Sequence, residues 1–342
     1  MENEIRYLNN DQLRAFARCR NMNSLSQALK VEQSTIIKCL HHPLYQQFAI
    51  PKKKGGTRTI FSPEPDLHLL QSKIAHYLNY FYNSHVPISV HGFIRSYDNL
   101  TRNIITNATP HIKKKQLLNL DLADFFPSIS ADMVKESLMT FPGLQLREEM
   151  ACIISLLATH EWKLPAGSPL SPIISNIAFY NTDLKLESLA RLHHLTYTRY
   201  ADDLSFSSDH PFNESLIYEI KKTVLDDTFS FNEKKERLQT RFGAQWVTGV
   251  KVNEQPNLDR KKIRLLRSIL HHWKCNGLDA AEKRYWEKFP KKGFHGPETF
   301  IASLSGKINH VKLVRTAVDE NDMVSSNLSL QLKTLMEAEY AK

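Results

Sequence analysis

Three carboxylates stand out by their settings. Asp202 and Asp203 are adjacent, inside a stretch (LTYTRYADDLSFS, residues 195–207) that alternates apolar and polar on both sides of them. A tight turn between two strands there would expose both carboxylates at one edge of a sheet. Asp121 lies in a short apolar run (LLNLDL, residues 117–122) and is followed by Phe125-Phe126. Two such positions brought side by side repel each other unless divalent cations bind between them. That arrangement is the one two-metal phosphoryl transfer requires: one cation lowers the pKa of an attacking hydroxyl while both brace the in-line displacement. A second acidic pair, Asp226-Asp227, lacks the strand context and reads as the solvated end of a helix.

Positioning these groups calls for a mixed chain. Residues 9–19 are amphipathic, and Ser24-Leu25-Ser26-Gln27 has capping-box spacing at the start of another helix. Residues 24–40 form a helix-turn-helix pattern, which as a function would mean DNA recognition. The expectation is the plainer one, a small helical pack. Lys52-Lys53-Lys54-Gly55-Gly56 makes a basic hairpin turn between short extended segments. Residues 67–82 have helical spacing, and Ile173, Ile177, Tyr180 and Leu184 share one face of a single predicted helix over residues 173–184. Residues 212–224 predict a helix, 229–231 a short strand, and helical patterns dominate from Asn257 onward. Glycine is only 11 of 342 residues, about half the usual share, which suits a helix-rich chain.

Several boxes in this order resemble those of reverse transcriptases. Leu120-Asp121-Leu122 with Phe125-Phe126-Pro127-Ser128-Ile129 is similar to motif A, and Leu164-Pro165-Ala166-Gly167-Ser168-Pro169-Leu170-Ser171-Pro172, with Asn176 beyond, to motif B. Tyr200-Ala201-Asp202-Asp203 resembles the Y-x-D-D of motif C, Asn232 and Lys235 the N-x-x-K of motif D, and Arg58 sits where the fingers carry a basic residue. Two further boxes resemble bacterial retron enzymes: Asn107-Ala108-Thr109-Pro110-His111 as N-A-x-x-H, and Val247-Thr248-Gly249 as V-T-G, running on to Asn253. Ala166 departs from the pattern, since motif B commonly has Gln there.

The resemblance implies an α+β right-hand polymerase, with fingers, a palm built on a small antiparallel sheet, and a helical thumb. Its expected domains are a helical extension (1–45), fingers and palm (46–255) and a basic thumb (256–342). It implies two Mg²⁺ ions, with Mn²⁺ as a substitute, on the catalytic Asp121, Asp202 and Asp203 and on the backbone carbonyl of Leu122. Arg58 and Lys53 would neutralise the triphosphate, since a basic hairpin can close over it. Phe126 would be an aromatic gate against ribonucleotides, Ala166 and Gly167 would border the nucleotide, and Lys235 would protonate the leaving group. Asn107, His111, Val247, Thr248 and Gly249 would serve RNA choice, although an Asn–His pair also serves to fasten a loop. A retron enzyme copies part of a structured non-coding RNA into DNA from a 2′-hydroxyl of that RNA, leaving branched multicopy single-stranded DNA (msDNA). It works with an effector protein encoded nearby, in antiphage defence. Other bacterial reverse transcriptases, of group II intron or diversity-generating type, share the general motifs. A non-catalytic RNA-binding scaffold would not need all three aspartates.

Composition agrees. Lys and Arg number 45 against 36 acids, a net charge of +9, and residues 260–315 alone carry about +10, leaving the rest near neutrality. Concentrated basic charge points to a polyanion, with Lys261, Lys262, Arg264 and Arg267 expected on backbone phosphates. With 42% hydrophobic and 24% charged residues the chain is globular and not disordered. No apolar run reaches the roughly 18 residues of a membrane span, and Cys19, Cys39, Cys152 and Cys275 lie too far apart for a C-x-x-C zinc site, so a bacterial cytoplasmic enzyme is expected.

Overall fold

The structure, a computed structural model, describes residues 9–51, 55–95, 101–289 and 297–340. Helices α1 (Asn10–Ala17), α2 (Met22–Leu29) and α3 (Gln33–His41) lead the chain. Asn9 caps α1, and Asn21 caps α2 by accepting from the Ser24 amide at 3.0 Å. Ser24 is therefore the inner partner of a capping box that starts three residues earlier than its spacing to Gln27 suggested. Strands β1 (Tyr45–Pro51) and β2 (Thr57–Pro63) pair antiparallel, with Ile50 opposite Arg58, and Gly55 and Gly56 take positive φ at the turn. The long helix α4 (Pro65–Asn83) then packs under the leader: Phe16 stacks on Tyr77 with centroids 4.5 Å apart, and the Tyr77 hydroxyl donates to the Ala28 carbonyl at 2.8 Å. Leu25, Leu29 and Ile36 face the same core, the expected helical pack.

Helix α5 (Ile104–Ala108) precedes β3 (Gln116–Asp121), and helices α6 (Ala131–Thr140) and α7 (Glu148–Ala158) follow it. Next come α8 (Ser171–Ala178), α9 (Tyr180–Leu192), the hairpin of β4 (Thr196–Tyr200) and β5 (Asp203–Ser208), α10 (Glu214–Leu225) and β6 (Arg237–Thr240). One sheet has the order β4-β5-β3-β6, so the strand ending in Asp121 lies beside the strand starting at Asp203.

Three local expectations change. The helix predicted over 173–184 is two helices, broken at Phe179, whose ring is buried against Phe125 and Phe229. Leu184 ends up 38% exposed, off the shared face. Residues 229–231 supply a single bridge, Leu122 to Phe231, rather than a strand. Asp227 is a tie and not a solvated end: it accepts from Thr182 Oγ1 at 2.7 Å and from Lys185 Nζ at 2.6 Å.

Strands β7 (Trp246–Val247) and β8 (Val250–Lys251) form a small hairpin, followed by α11 (Arg260–Asn276), α12 (Leu278–Lys288), α13 (Pro297–Thr316) and α14 (Met323–Tyr340). Trp273, Tyr285 and Phe300 are buried in mutual contact, so these aromatics hold helices together. The chain divides into two compact units, residues 1–103 with 118–238, and residues 104–117 with 239–342. The α+β class is as expected. Among the described residues no helix is long and apolar enough to cross a membrane.

Candidate active site

The site is built where β3 meets the β4–β5 turn. Tyr200 pairs with Asp203, leaving Ala201 and Asp202 as a two-residue loop with Ala201 left-handed at φ +57°. The Leu122 amide donates to the Asp202 carbonyl at 3.0 Å, and Asn119 Nδ2 donates to Ser205 Oγ at 2.9 Å. These bonds set Asp121 next to Asp202 and Asp203, as the sequence predicts. Leu122 itself is buried in the core.

Crowding shows in the acidities. Desolvation raises the pKa of Asp202, with Asp121 adding to the shift; its own backbone amide, Lys235 and Arg58 offset part of it. Asp203 is pushed up to about 7, by desolvation first and then by Asp202 and Asp121. Though Asp203 is exposed as a residue at its strand end, its carboxyl faces two other carboxyls, a place short of positive charge.

Lys235 supplies some of that charge. Its Nζ donates to both oxygens of Asp121, at 2.8 and 2.7 Å, from a short 3-10 turn, Glu233–Lys235. The turn is laced to β3 through the Asn232 amide on the Asp121 carbonyl at 2.8 Å, which explains the spacing from Asn232 to Lys235. Carboxylate oxygens are the ligands hard divalent cations take, so the donor set fits such ions. Among the described residues no three acidic, His or Cys side chains stand as a preformed metal cage; with Lys235 on Asp121, the carboxylates are gathered but not closed around one point.

Around this centre, Phe125 is buried against Phe179 and Phe229, while Phe126 is half-buried, its ring between Phe93 at 5.8 Å and Phe125 at 6.0 Å. The two phenylalanines thus differ in burial, Phe125 within the core and Phe126 partly buried against it. Arg58 lies on β2, where its charge reaches Asp202; Lys53 lies outside the described residues. The Ala166 carbonyl accepts from the Phe61 amide at 2.7 Å. Gly167, at φ +117°, has the Phe61 carbonyl 2.6 Å from where a Cβ would stand. The space its missing side chain leaves is filled by β2, so glycine is needed here for strand packing. Ser168 is buried, donating to Gln71 Oε1 at 2.8 Å.

In the second unit the two retron-like boxes come together. Asn107 Nδ2 donates to Thr248 Oγ1 at 3.5 Å, and Thr248 Oγ1 donates to the Ile104 carbonyl at 3.4 Å. Thr248 and Gly249, both at positive φ, make the turn between Val247 and Val250. Asn107 and His111 are wholly buried and offer no surface to RNA, and the Asn107 side chain fastens this loop to Thr248. On α11, Lys261, Lys262, Arg264 and Arg267 point away from the core while Ile263, Leu266, Ile269 and Leu270 are buried, an amphipathic helix with a basic stripe.

Sequence reasoning missed Gly92, Asp183 and Arg199. Arg199 is fully buried, and it donates to the Ala201 carbonyl inside the aspartate turn. Its one signal was a charged residue at a position the strand alternation assigns to the core.

Residues 50–266 match the family model described as reverse transcriptase (RNA-dependent DNA polymerase). The chain is 34% identical over 248 residues to the retron Mx65 reverse transcriptase of Myxococcus xanthus, covering 66% of this chain and 55% of that protein. It is 32% identical over 265 residues to the retron Mx162 reverse transcriptase of the same organism, covering 67% of this chain and 53% of that protein, so the chain spans about half the length of these two relatives. The retron Ec86 reverse transcriptase of Escherichia coli is 28% identical over 307 residues, 84% of this chain and 90% of that one. A solved telomerase from Candida albicans aligns over 89% of this chain and 65% of its own, at 10% identity and a TM-score of 0.46.

Proposed function

The chain belongs to the reverse transcriptase family, and from that premise we propose that it is an RNA-directed DNA polymerase of the retron type. The observation that carries the reading is the meeting of Asp121 with Asp202 and Asp203 across neighbouring strands, tied by the Leu122 to Asp202 hydrogen bond. These three side chains and the Leu122 carbonyl would hold divalent cations, with Mg²⁺ the proposed ion and Mn²⁺ its substitute. When bound, the cations supply charge that lowers the pKa of a primer 3′-hydroxyl and steadies the departing pyrophosphate.

The chain's own residues do the rest. Lys235 donates to both Asp121 oxygens, and its ammonium would be the proton donor for the leaving group at the edge of the site. Arg58, on the β1–β2 hairpin with its charge reaching Asp202, meets the triphosphate with its guanidinium fork. Ala166 and Gly167 border the nucleotide while holding β2 in place. The Phe126 ring, braced by Phe93 and Phe125, is the steric gate of this reading, excluding a sugar 2′-hydroxyl by its bulk. Lys261, Lys262, Arg264 and Arg267 grip the template duplex by its phosphates. The loop in which Asn107 is joined to Thr248 serves choice of the cognate RNA through its shape.

The retron reading rests on those two joined boxes and on the similarity to several retron enzymes. It entails a structured non-coding RNA as template and primer, msDNA as product, and an effector partner in antiphage defence. Sequencing the nucleic acid that copurifies with the protein tests it. A DNA strand joined through a 2′–5′ linkage to RNA is expected; plain cellular RNA would contradict it.

A further inference from the structure

We infer that Arg199 and Asp183 form a buried strut that sets the Ala201–Asp202 peptide, making Arg199 a positioning residue for the paired aspartates. The inference rests on the polymerase reading of that site and adds to it a pair outside the motifs' acidic residues. Both side chains are wholly buried. Arg199 Nε donates to Asp183 Oδ1 at 2.8 Å and Nη2 to Oδ2 at 2.6 Å, a two-point grip. The guanidinium lies over the Phe179 ring at 4.9 Å, and the Tyr197 hydroxyl donates to Asp183 Oδ1 at 2.8 Å. A buried ion pair is a poor way to gain stability, because desolvating two charges offsets most of their attraction. Apolar residues would fill this space at least as well, so the pair needs another reason to be there.

That reason is the third nitrogen. Arg199 Nη1 donates to the Ala201 carbonyl at 3.0 Å and to Asn176 Oδ1 at 3.1 Å. The Ala201 carbonyl shares its peptide with the Asp202 N–H, and in a trans peptide the two point opposite ways. The Asp202 N–H in turn faces the Asp202 carboxylate. Fixing the carbonyl therefore aims the amide, and the amide aims the carboxylate. Ala201 is left-handed, a conformation that side chains other than glycine readily leave, so the turn needs an external restraint.

A second restraint comes from the same network. Asn176 Nδ2 donates to the Gly92 carbonyl at 3.1 Å, and a Cβ on Gly92 would stand 2.3 Å from the Ala201 nitrogen. The Arg199 amide and carbonyl pair with Ser89 and His91, closing the edge of β4. The turn is thus held from behind by side chain and backbone together, with Asp183 fixing the arginine that bonds the Ala201 carbonyl.

The test is a double variant, Arg199→Met with Asp183→Asn, which removes both charges at once and leaves an amide oxygen at position 183 to accept from Tyr197. Three quantities are measured beside thermal unfolding: primer extension on an RNA template, affinity for that template–primer, and Mn²⁺ binding followed by electron paramagnetic resonance without turnover. We expect kcat and Mn²⁺ affinity each to fall about tenfold to hundredfold, with nucleotide KM, template affinity and melting temperature nearly unchanged. Arg199→Lys keeps a charge opposite Asp183 but lacks the fork; it should fold and lie between parent and double variant, and it decides the matter if the double variant does not fold. Parental kcat and Mn²⁺ affinity in the folded variants would overturn the strut. So would a uniform loss of stability, template affinity and kcat, which would make the pair ordinary core. If the parent binds Mn²⁺ but extends no primer, the polymerase reading fails; weaker Mn²⁺ binding in the variants would then still uphold the strut.

Discussion

Phe125 and Phe126 are neighbours that differ in burial, and the proposed function gives them different roles. Phe125 is 6% exposed in the core, whereas Phe126 is half-buried with a braced ring. Phe126→Val should raise ribonucleotide incorporation relative to deoxynucleotide by about one to three orders of magnitude, roughly 1.4–4 kcal/mol of lost discrimination. Phe125→Val should leave sugar preference intact and cost about 2–3 kcal/mol of stability through the cavity it opens. Single-nucleotide extension with matched ribo- and deoxynucleotides, alongside thermal unfolding, separates the two. Loss of discrimination in the Phe125 variant alone would shift the register by one residue. Asp203 gives a second prediction. Its carboxyl titrates at about 7 when folded and at about 3.9 when unfolded. Between those values the folded chain holds the extra proton, so stability falls as pH rises through the window. Mg²⁺ should therefore raise the melting temperature more at about pH 8 than at about pH 5; equal shifts would contradict the crowding. Asp202 and Asp203 were legible because alternation flanks them, and Asp121 because it lies in a short apolar run. Asp227 was misread because Thr182 and Lys185, its partners, are distant in sequence.

At the scale of elements, a short apolar run located the strand of Asp121 and alternation the hairpin of Asp202, although these strands are buried on both faces. The same logic ran two helices together. The apolar spacing from Ile173 to Tyr180 continues at helical period across the break, while the cause of the break, the packing of Phe179 on Phe125 and Phe229, comes from other elements. Gly92 was invisible for a similar reason, since its requirement is the approach of Ala201 from far along the chain. Gly92→Ala should push the aspartate turn away and lower kcat by about a hundredfold, the cost of a misplacement near an ångström, with template affinity retained. A circular dichroism spectrum like the parent's beside that loss is the expected result; unchanged kcat would show that the turn tolerates the displacement.

Across the whole molecule, charge is the property most plainly written in the sequence. The local excess of about +10 over residues 260–315 surfaces on α11 as a basic stripe over an apolar face. Reversing Lys261, Lys262 and Arg264 to Glu should flatten the dependence of log affinity on log salt by roughly two to three units, at about 0.9 for each phosphate no longer neutralised. An unchanged slope would place the duplex elsewhere. The grouping of residues 104–117 with the C-terminal unit was not legible, because it depends on hydrogen bonds such as that of Asn107 with Thr248, 141 positions apart. The proposed chemistry rests on Asp121, Asp202 and Asp203. The most direct measurement is primer extension on an RNA template with Mg²⁺ by the parent and by Asp203→Asn, with template affinity measured in parallel. The account predicts DNA synthesis by the parent and a fall of about three orders of magnitude in the variant, roughly 4 kcal/mol of lost charge stabilisation, at unchanged affinity. Near-parental synthesis by Asp203→Asn would contradict it.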